Sequence, residues 1–135
     1  SLSKKDRIRG LVLDLRFQKG DEMKKTEKRR VKEIKPILAK IRDYLKNRYK
    51  NKVQRIVLYG SFAKGQANTD SDVDIAVIIK NDLDPREIED GISELLFEIL
   101  IDYGELVAVS VLPEKKVRDS IWPLYRSIER DGIKL

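Results

Sequence analysis

The run Asp72-Val-Asp-Ile-Ala-Val-Ile-Ile79 constrains the fold more than any other stretch of the chain. Its residues are mostly β-branched and it is too short for a helix, so it reads as a β-strand. Strand side chains alternate between faces. Asp72, Asp74, Ala76 and Ile78 therefore share one face, and Val73, Ile75, Val77 and Ile79 share the other. Carboxylates at the head of so apolar a strand are costly to bury unpaired. Either a cation compensates them or they sit at the strand's wet end.

Other elements follow from the same kind of pattern. Val53–Tyr59 reads as a strand that stops at Gly60, and Glu105–Leu112 as a third. From Glu22 to Tyr49 apolar residues recur at Val31, Ile34, Leu38, Ile41, Leu45 and Tyr49, a helical spacing that Pro36 interrupts with a kink or a new start. Asp84 and Pro85 form an N-cap and first turn for a helix whose stripe is Ile88, Ile92, Leu95, Leu96 and Ile99, and which Gly104 stops. After Pro113 a last helical region, split by Pro123, runs to Asp131-Gly132. Residues 1–20 fit a helix slightly better than a strand. Helices alternate with strands, so the expected class is α/β, a small mixed sheet of three or more strands flanked by helices. Residues 1–30 are expected to be a basic, helical N-terminal extension, and residues 31–135 the domain proper.

Composition narrows the chemistry. The chain has neither cysteine nor histidine. That removes disulfides, thiolate nucleophiles, zinc sites of the usual kind, Ser-His-Asp triads and imidazole bases. Any metal must be held by oxygen, which favours magnesium, manganese or calcium. The net charge of +6 hides an asymmetry: residues 1–55 carry 20 Lys+Arg against 7 Asp+Glu, and residues 56–135 carry 9 against 16. The basic half suits phosphates or a nucleic acid, or is simply a solvated face. No apolar run reaches transmembrane length and no signal-peptide core opens the chain, so a cytoplasmic protein without a membrane partner is expected.

Two phosphate or metal motifs can be set aside. Gly60-Ser-Phe-Ala-Lys-Gly65 has the glycine spacing of a P-loop, but Gln66 and Ala67 stand where Lys and Ser or Thr are needed. Asp70-x-Asp72-x-Asp74 opens like a calcium loop, but Ile75 and Asn81 stand at its glycine and glutamate positions. What remains is a pair of carboxylates two residues apart on one strand face, roughly 6–7 Å apart along the backbone. Such a pair can reach one divalent ion, or two ions about 3.5–4 Å apart. The Gly60-Ser61 turn ahead of it can aim backbone N–H groups and a hydroxyl at phosphates. Turn and acid pair together suit a metal-chelated nucleoside triphosphate.

The stretch "GSFAKGQANTDSDVDIAVI" closely resembles the signature of the DNA polymerase beta-like nucleotidyltransferases: Gly-Ser, roughly ten residues, then Asp-x-Asp. It is most similar to the minimal nucleotidyltransferase domains related to kanamycin nucleotidyltransferase, and the likeness runs from about Val31 to Leu135. The resemblance implies a polymerase beta-like palm fold and transfer of a nucleoside monophosphate from a triphosphate, with ATP expected, to a hydroxyl, releasing pyrophosphate. It implies that Gly60 and Ser61 hold the triphosphate, that Asp72 and Asp74 hold Mg2+ or Mn2+, and that Asp70 and Ser71 shape the loop; Lys64 either touches a phosphate or is a solvated turn lysine. Active members generally carry a third carboxylate on a later strand. The matching position here is Ser110, and Glu105 at the strand's start is the substitute to consider beside its plainer role as a surface charge. Two alternatives stand beside transfer activity. One is a non-catalytic nucleotide-binding module, or an antitoxin-like partner of a small helical HEPN-type protein. The other is a nucleic-acid binder acting through the basic N-terminal half.

Overall fold

The computed structural model describes residues 27–119 and 122–135. Four strands form one mixed sheet: β1 (Val53–Tyr59), β2 (Val73–Ile79), β3 (Val107–Pro113) and the two-residue β4 (Ile133–Lys134), in the order β3-β2-β1-β4. β1 runs antiparallel to β2 and to β4, whereas β2 and β3 are parallel. A parallel pair needs a crossover, and α2 (Pro85–Tyr103) supplies it. The other helices are α1 (Lys35–Tyr49), α3 (Glu114–Asp119) and α4 (Pro123–Asp131).

The two faces of the sheet are covered unequally. Ile56, Leu58, Val73, Ile75, Val77, Ile79, Val107 and Val111 meet the buried stripes of α1 and α2 in the larger core. Each such aliphatic side chain contributes about 1.5–3 kcal/mol by leaving water. On the opposite face Val57, Ala76 and Ile78 pack with Val117 of α3 and Ile128 of α4, flanked by Tyr59, Leu112 and Tyr125. This smaller core is the layer beside Asp74.

Helix boundaries follow local chemistry. Pro36 sits in the first turn of α1, after a 3-10 turn at Val31–Ile34, so the proline marks a start rather than a kink. The Asp84 carboxylate accepts the Arg86 backbone N–H at 3.0 Å and caps α2. Gly104, with φ 68°, closes α2 in the left-handed conformation. Tyr44 ties α1 to α2 by donating its hydroxyl to the Gly91 carbonyl at 2.6 Å.

Several expectations need adjustment. β2 begins at Val73, so Asp72 stands just ahead of it, and β3 begins at Val107 rather than Glu105. β4 was not expected: its two residues follow directly on the Gly132 stop and are held by pairing with Val57 and Leu58. Among the described residues the helix read from Glu22 opens with a 3-10 turn at Val31 and becomes α1 at Lys35. Its residues before 27, and most of the proposed extension, lie outside the described residues. Within the described part, Lys28 and Arg29 do not stand apart from the domain. Lys28 forms an isolated bridge with Asn68, and the Arg29 backbone N–H donates to the Ala67 carbonyl at 2.9 Å. No described helix is long and apolar enough to cross a membrane.

Candidate nucleotide and metal site

The connection from β1 to β2, residues 60–72, carries most of the candidate residues. It leaves β1 at Gly60 with φ 76°, a conformation that favours glycine. A helix-like turn follows, with the Lys64 N–H on the Gly60 carbonyl at 3.1 Å and the Gln66 N–H on the Ser61 carbonyl at 2.8 Å. Gly65, with φ 69°, ends that turn. Phe62 and Ala67 are buried in the larger core and anchor the connection, leaving Lys64, Gly65 and Gln66 at its exposed tip.

The second half of the connection is organised by side chains. Asn68 Oδ1 accepts the Asp70 N–H at 2.9 Å, an Asx turn. Ser71 Oγ accepts the Asn68 N–H at 2.9 Å, and the Ser71 N–H returns to the Asn68 carbonyl at 3.1 Å. Ser71 therefore braces the loop ahead of β2. Asp72 follows it, buried at 8% exposure, and Asp74 is half-buried.

Register fixes what surrounds Asp74. Its cross-strand partners are Tyr59 on β1 and Ala108 on β3, and one step along the same face Ala76 lies between Val57 and Ser110. Ser110 thus shares the face of Asp74, as a third ligand position would require. The Tyr59 hydroxyl reaches diagonally across β2 to within 3.4 Å of Ser110 Oγ. Ala76, with only a methyl group, leaves room for that reach. Gly60 lies so close to Asp74 that a Cβ built on it would overlap the carboxylate Oδ2. The structure therefore brings Gly60, Asp74, Tyr59 and Ser110 together. Tyr59 was not singled out from the sequence. An aromatic with a polar tip as the last strand residue before Gly-Ser was the available signal.

Lys64 is placed elsewhere in the loop. With Ala63, Gln66, Arg130 and Asp131 it lines an open cavity of about 600 Å³ beside the end of α4. The hydrogen bonds from Arg130, together with the nearby charges of Arg130 and Lys64, hold the Asp131 carboxyl below its usual value.

Glu105 is neither a surface charge nor aligned with Ser110. It is 6% exposed and takes both arms of the Arg29 guanidinium, at 3.0 Å and 2.5 Å. That guanidinium lies 5.3 Å from the centre of the Phe62 ring. Removing one member of so enclosed a pair typically costs about 3–5 kcal/mol, because the other charge is left buried. No local pattern announces Arg29, which sits in the basic run Lys28-Arg-Arg30 and meets its partner 76 positions away.

Whether the site suits a divalent cation rests on its donors. Among the described residues no three acidic side chains converge as a ready-made cage. Magnesium is commonly held by one or two carboxylates with substrate phosphates and water completing the shell. Two carboxylates, Asp72 and Asp74, next to the Gly60-Ser61 turn match that donor set.

The chain is similar to several known proteins. The family model "Polymerase beta, Nucleotidyltransferase" matches residues 39–121. Two proteins of Methanocaldococcus jannaschii, each named a "putative protein adenylyltransferase", are similar to the chain. One is 36% identical over 104 residues, spanning 75% of this chain and 93% of the relative. The other is 29% identical over 89 residues, spanning 65% and 83%. Among solved structures, a toxin-antitoxin crystallised with AMP-PNP is 26% identical with a TM-score of 0.46, over 71% of this chain and 69% of that one. A mutant of the toxin-antitoxin MntA-HpeT is 23% identical with a TM-score of 0.48 over the same shares.

Proposed function

The chain belongs to the polymerase beta nucleotidyltransferase family, and we propose that it transfers the nucleoside monophosphate of ATP to a hydroxyl group on a protein, using Mg2+ or Mn2+. The observation that carries this reading is the close packing of Gly60 on Asp74 at the head of β2, which sets the Gly60-Ser61 turn directly beside the acid pair. The naming of the relatives as adenylyltransferases acting on protein supports ATP and a protein acceptor. A donor of this kind is met in the cytoplasm.

In this reading Asp72 and Asp74 hold the cation, and Gly60 and Ser61 present N–H groups and a hydroxyl to the β- and γ-phosphates. Ser71 holds the loop that delivers Asp72. When bound, the cation neutralises charge on the phosphates and lowers the pKa of the incoming hydroxyl. The acceptor oxygen forms a bond to the α-phosphorus, the bond from that phosphorus to pyrophosphate breaks, and the acceptor proton leaves to solvent or a nearby base. Ser110 stands on the Asp74 face at the position where the resemblance expects a third carboxylate, and the Tyr59 hydroxyl lies 3.4 Å from its Oγ. The two hydroxyls can hold the acceptor hydroxyl by hydrogen bonds, but both are weak bases at neutral pH. A site so short of a base of its own suits an acceptor chain that completes it, and a small helical HEPN-type protein is the partner class that the resemblance supplies.

The test uses ATP labelled at the α-phosphate, with magnesium or with chelator, in the presence of a candidate acceptor protein. Magnesium-dependent label on the acceptor and equimolar pyrophosphate are expected, both lost in Asp72→Asn and Asp74→Asn. Equal nucleotide binding in chelator, or release of inorganic phosphate without pyrophosphate, overturns the reading.

A further inference from the structure

We infer that Arg29 is a positioning residue for the nucleotide site, a clamp that joins the phosphate-binding turn to the strand bearing the acid pair. The inference rests on the proposed reading of that site and adds a residue that lies outside the signature motif and outside the family match.

Arg29 touches both sides of the site at once. Its backbone N–H holds the Ala67 carbonyl at 2.9 Å, and its guanidinium covers the Phe62 ring. Phe62 directly follows Gly60-Ser61, so these two contacts fix the turn from its far side. The bridge from Lys28 to Asn68 extends the attachment into the Asx turn before Asp72. The same guanidinium then reaches Glu105 with two hydrogen bonds. Leu106, the next residue, accepts the Val73 N–H at 3.0 Å, and Val73 stands between Asp72 and Asp74. One side chain thus couples the turn at Gly60 to the backbone of the acid pair.

The chemistry suits a rigid strut. The side chains of Arg29 and Glu105 are only 14% and 7% exposed, so water and salt screen the pair little. A planar guanidinium can bind a carboxylate through two parallel hydrogen bonds while lying against an aromatic ring. Lysine offers the charge without either geometry. The direct consequence is that Arg29→Lys keeps the charge balance but frees the turn.

Two measurements test this in the full chain. In the absence of nucleotide, hydrogen exchange of the Lys64 and Gln66 amides, whose bonds close the turn, is compared in wild type, Arg29→Lys and Glu105→Gln. In both variants the exchange there is expected to speed up at least tenfold more than that of the α1 amides. Binding of magnesium-ATP is then measured well below the melting midpoint of every variant. Roughly tenfold weaker binding is expected in each single variant, and no further loss in the double variant, because both act through one clamp. Faster exchange spread evenly over the whole domain, or unchanged exchange in the turn, overturns the clamp. So does unaltered nucleotide affinity when the wild type binds. Should the wild type bind no nucleotide while the turn still loosens, the mechanical coupling stands, and both the nucleotide reading and the role of Arg29 within it fall.

Discussion

Gly60 lies against the Asp74 carboxylate, with no space between them for even a methyl group. The φ of 76° at Gly60 adds a second reason for glycine, since a left-handed conformation costs other residues about 1–2 kcal/mol. Gly60→Ala is therefore expected to act twice. It should lower the metal-free melting midpoint by a few degrees, and it should weaken magnesium-dependent nucleotide binding by about a hundredfold as Asp74 is displaced. Melting curves in chelator and a nucleotide titration in magnesium separate the two effects. A drop in midpoint with intact binding would show that Asp74 adapts and is not the ligand.

Ser110→Asp places a carboxylate on the same face as Asp74, within reach of the Tyr59 hydroxyl. A positioned base typically contributes ~10²–10⁴-fold to rate. The expected outcome is tighter magnesium binding, faster pyrophosphate release with an acceptor present, and a metal-free midpoint below wild type that magnesium restores. Isothermal titration and melts with and without metal check it. Unchanged metal affinity would remove Ser110 from the third position. Glu105→Gln makes the contrast: committed to Arg29, Glu105 should register as lost stability whether or not metal is present.

Gly91→Ala sets helix propensity against packing. Alanine is favoured over glycine inside a helix by about 1 kcal/mol. A Cβ at Gly91, however, would collide with the hydroxyl of the buried Tyr49. Overpacking of this kind costs about 1–3 kcal/mol, so the net effect should be mild destabilisation. In a Tyr49→Phe background the colliding oxygen is gone, and Gly91→Ala should become neutral or stabilising. Denaturant unfolding of the four proteins in this cycle decides it.

Acid pH should expose the α2 cap. The side-chain hydrogen bond from Arg86, aided by the Arg86 backbone N–H, holds the Asp84 carboxyl below the usual 3.8. A lowered folded-state value means stabilisation that is present above the unfolded value and lost as pH falls through the folded one. Asp84→Ala should thus melt below wild type at pH 7, and the difference should close below about pH 3.8. A gap that persists at lower pH would show that the cap does not depend on the charge.

These residues also mark how far the sequence could be read. β1, β2 and α2 announce themselves because their signals are local: β-branched runs, a glycine stop, an Asp-Pro start, a 3.6-residue stripe. The face shared by Asp74 and Ser110 follows from alternation once the two strands are paired. β4 was invisible because two residues after a glycine carry no periodicity, and they are held by β1 alone. The union of Arg29 with Glu105 was invisible because the partners are remote in sequence and each lies among like charges or exposed-looking neighbours. The edges of β2 and β3 shifted because acids at a strand's head can lie in the extended run or just before it, and only the ladder decides.

The connection between β1 and β2 has a consequence for how such a domain can diversify. Antiparallel neighbours can be joined by two residues, yet residues 60–72 separate these strands. Its ends are fixed by the β1–β2 register and its middle by Phe62 and Ala67, while Lys64, Gly65 and Gln66 protrude. Doubling the length of a flexible loop costs only about 0.6 kcal/mol in closure entropy. Insertions at that tip should therefore leave folding nearly untouched while reshaping the surface beside the candidate site, through a segment whose length the fold scarcely registers.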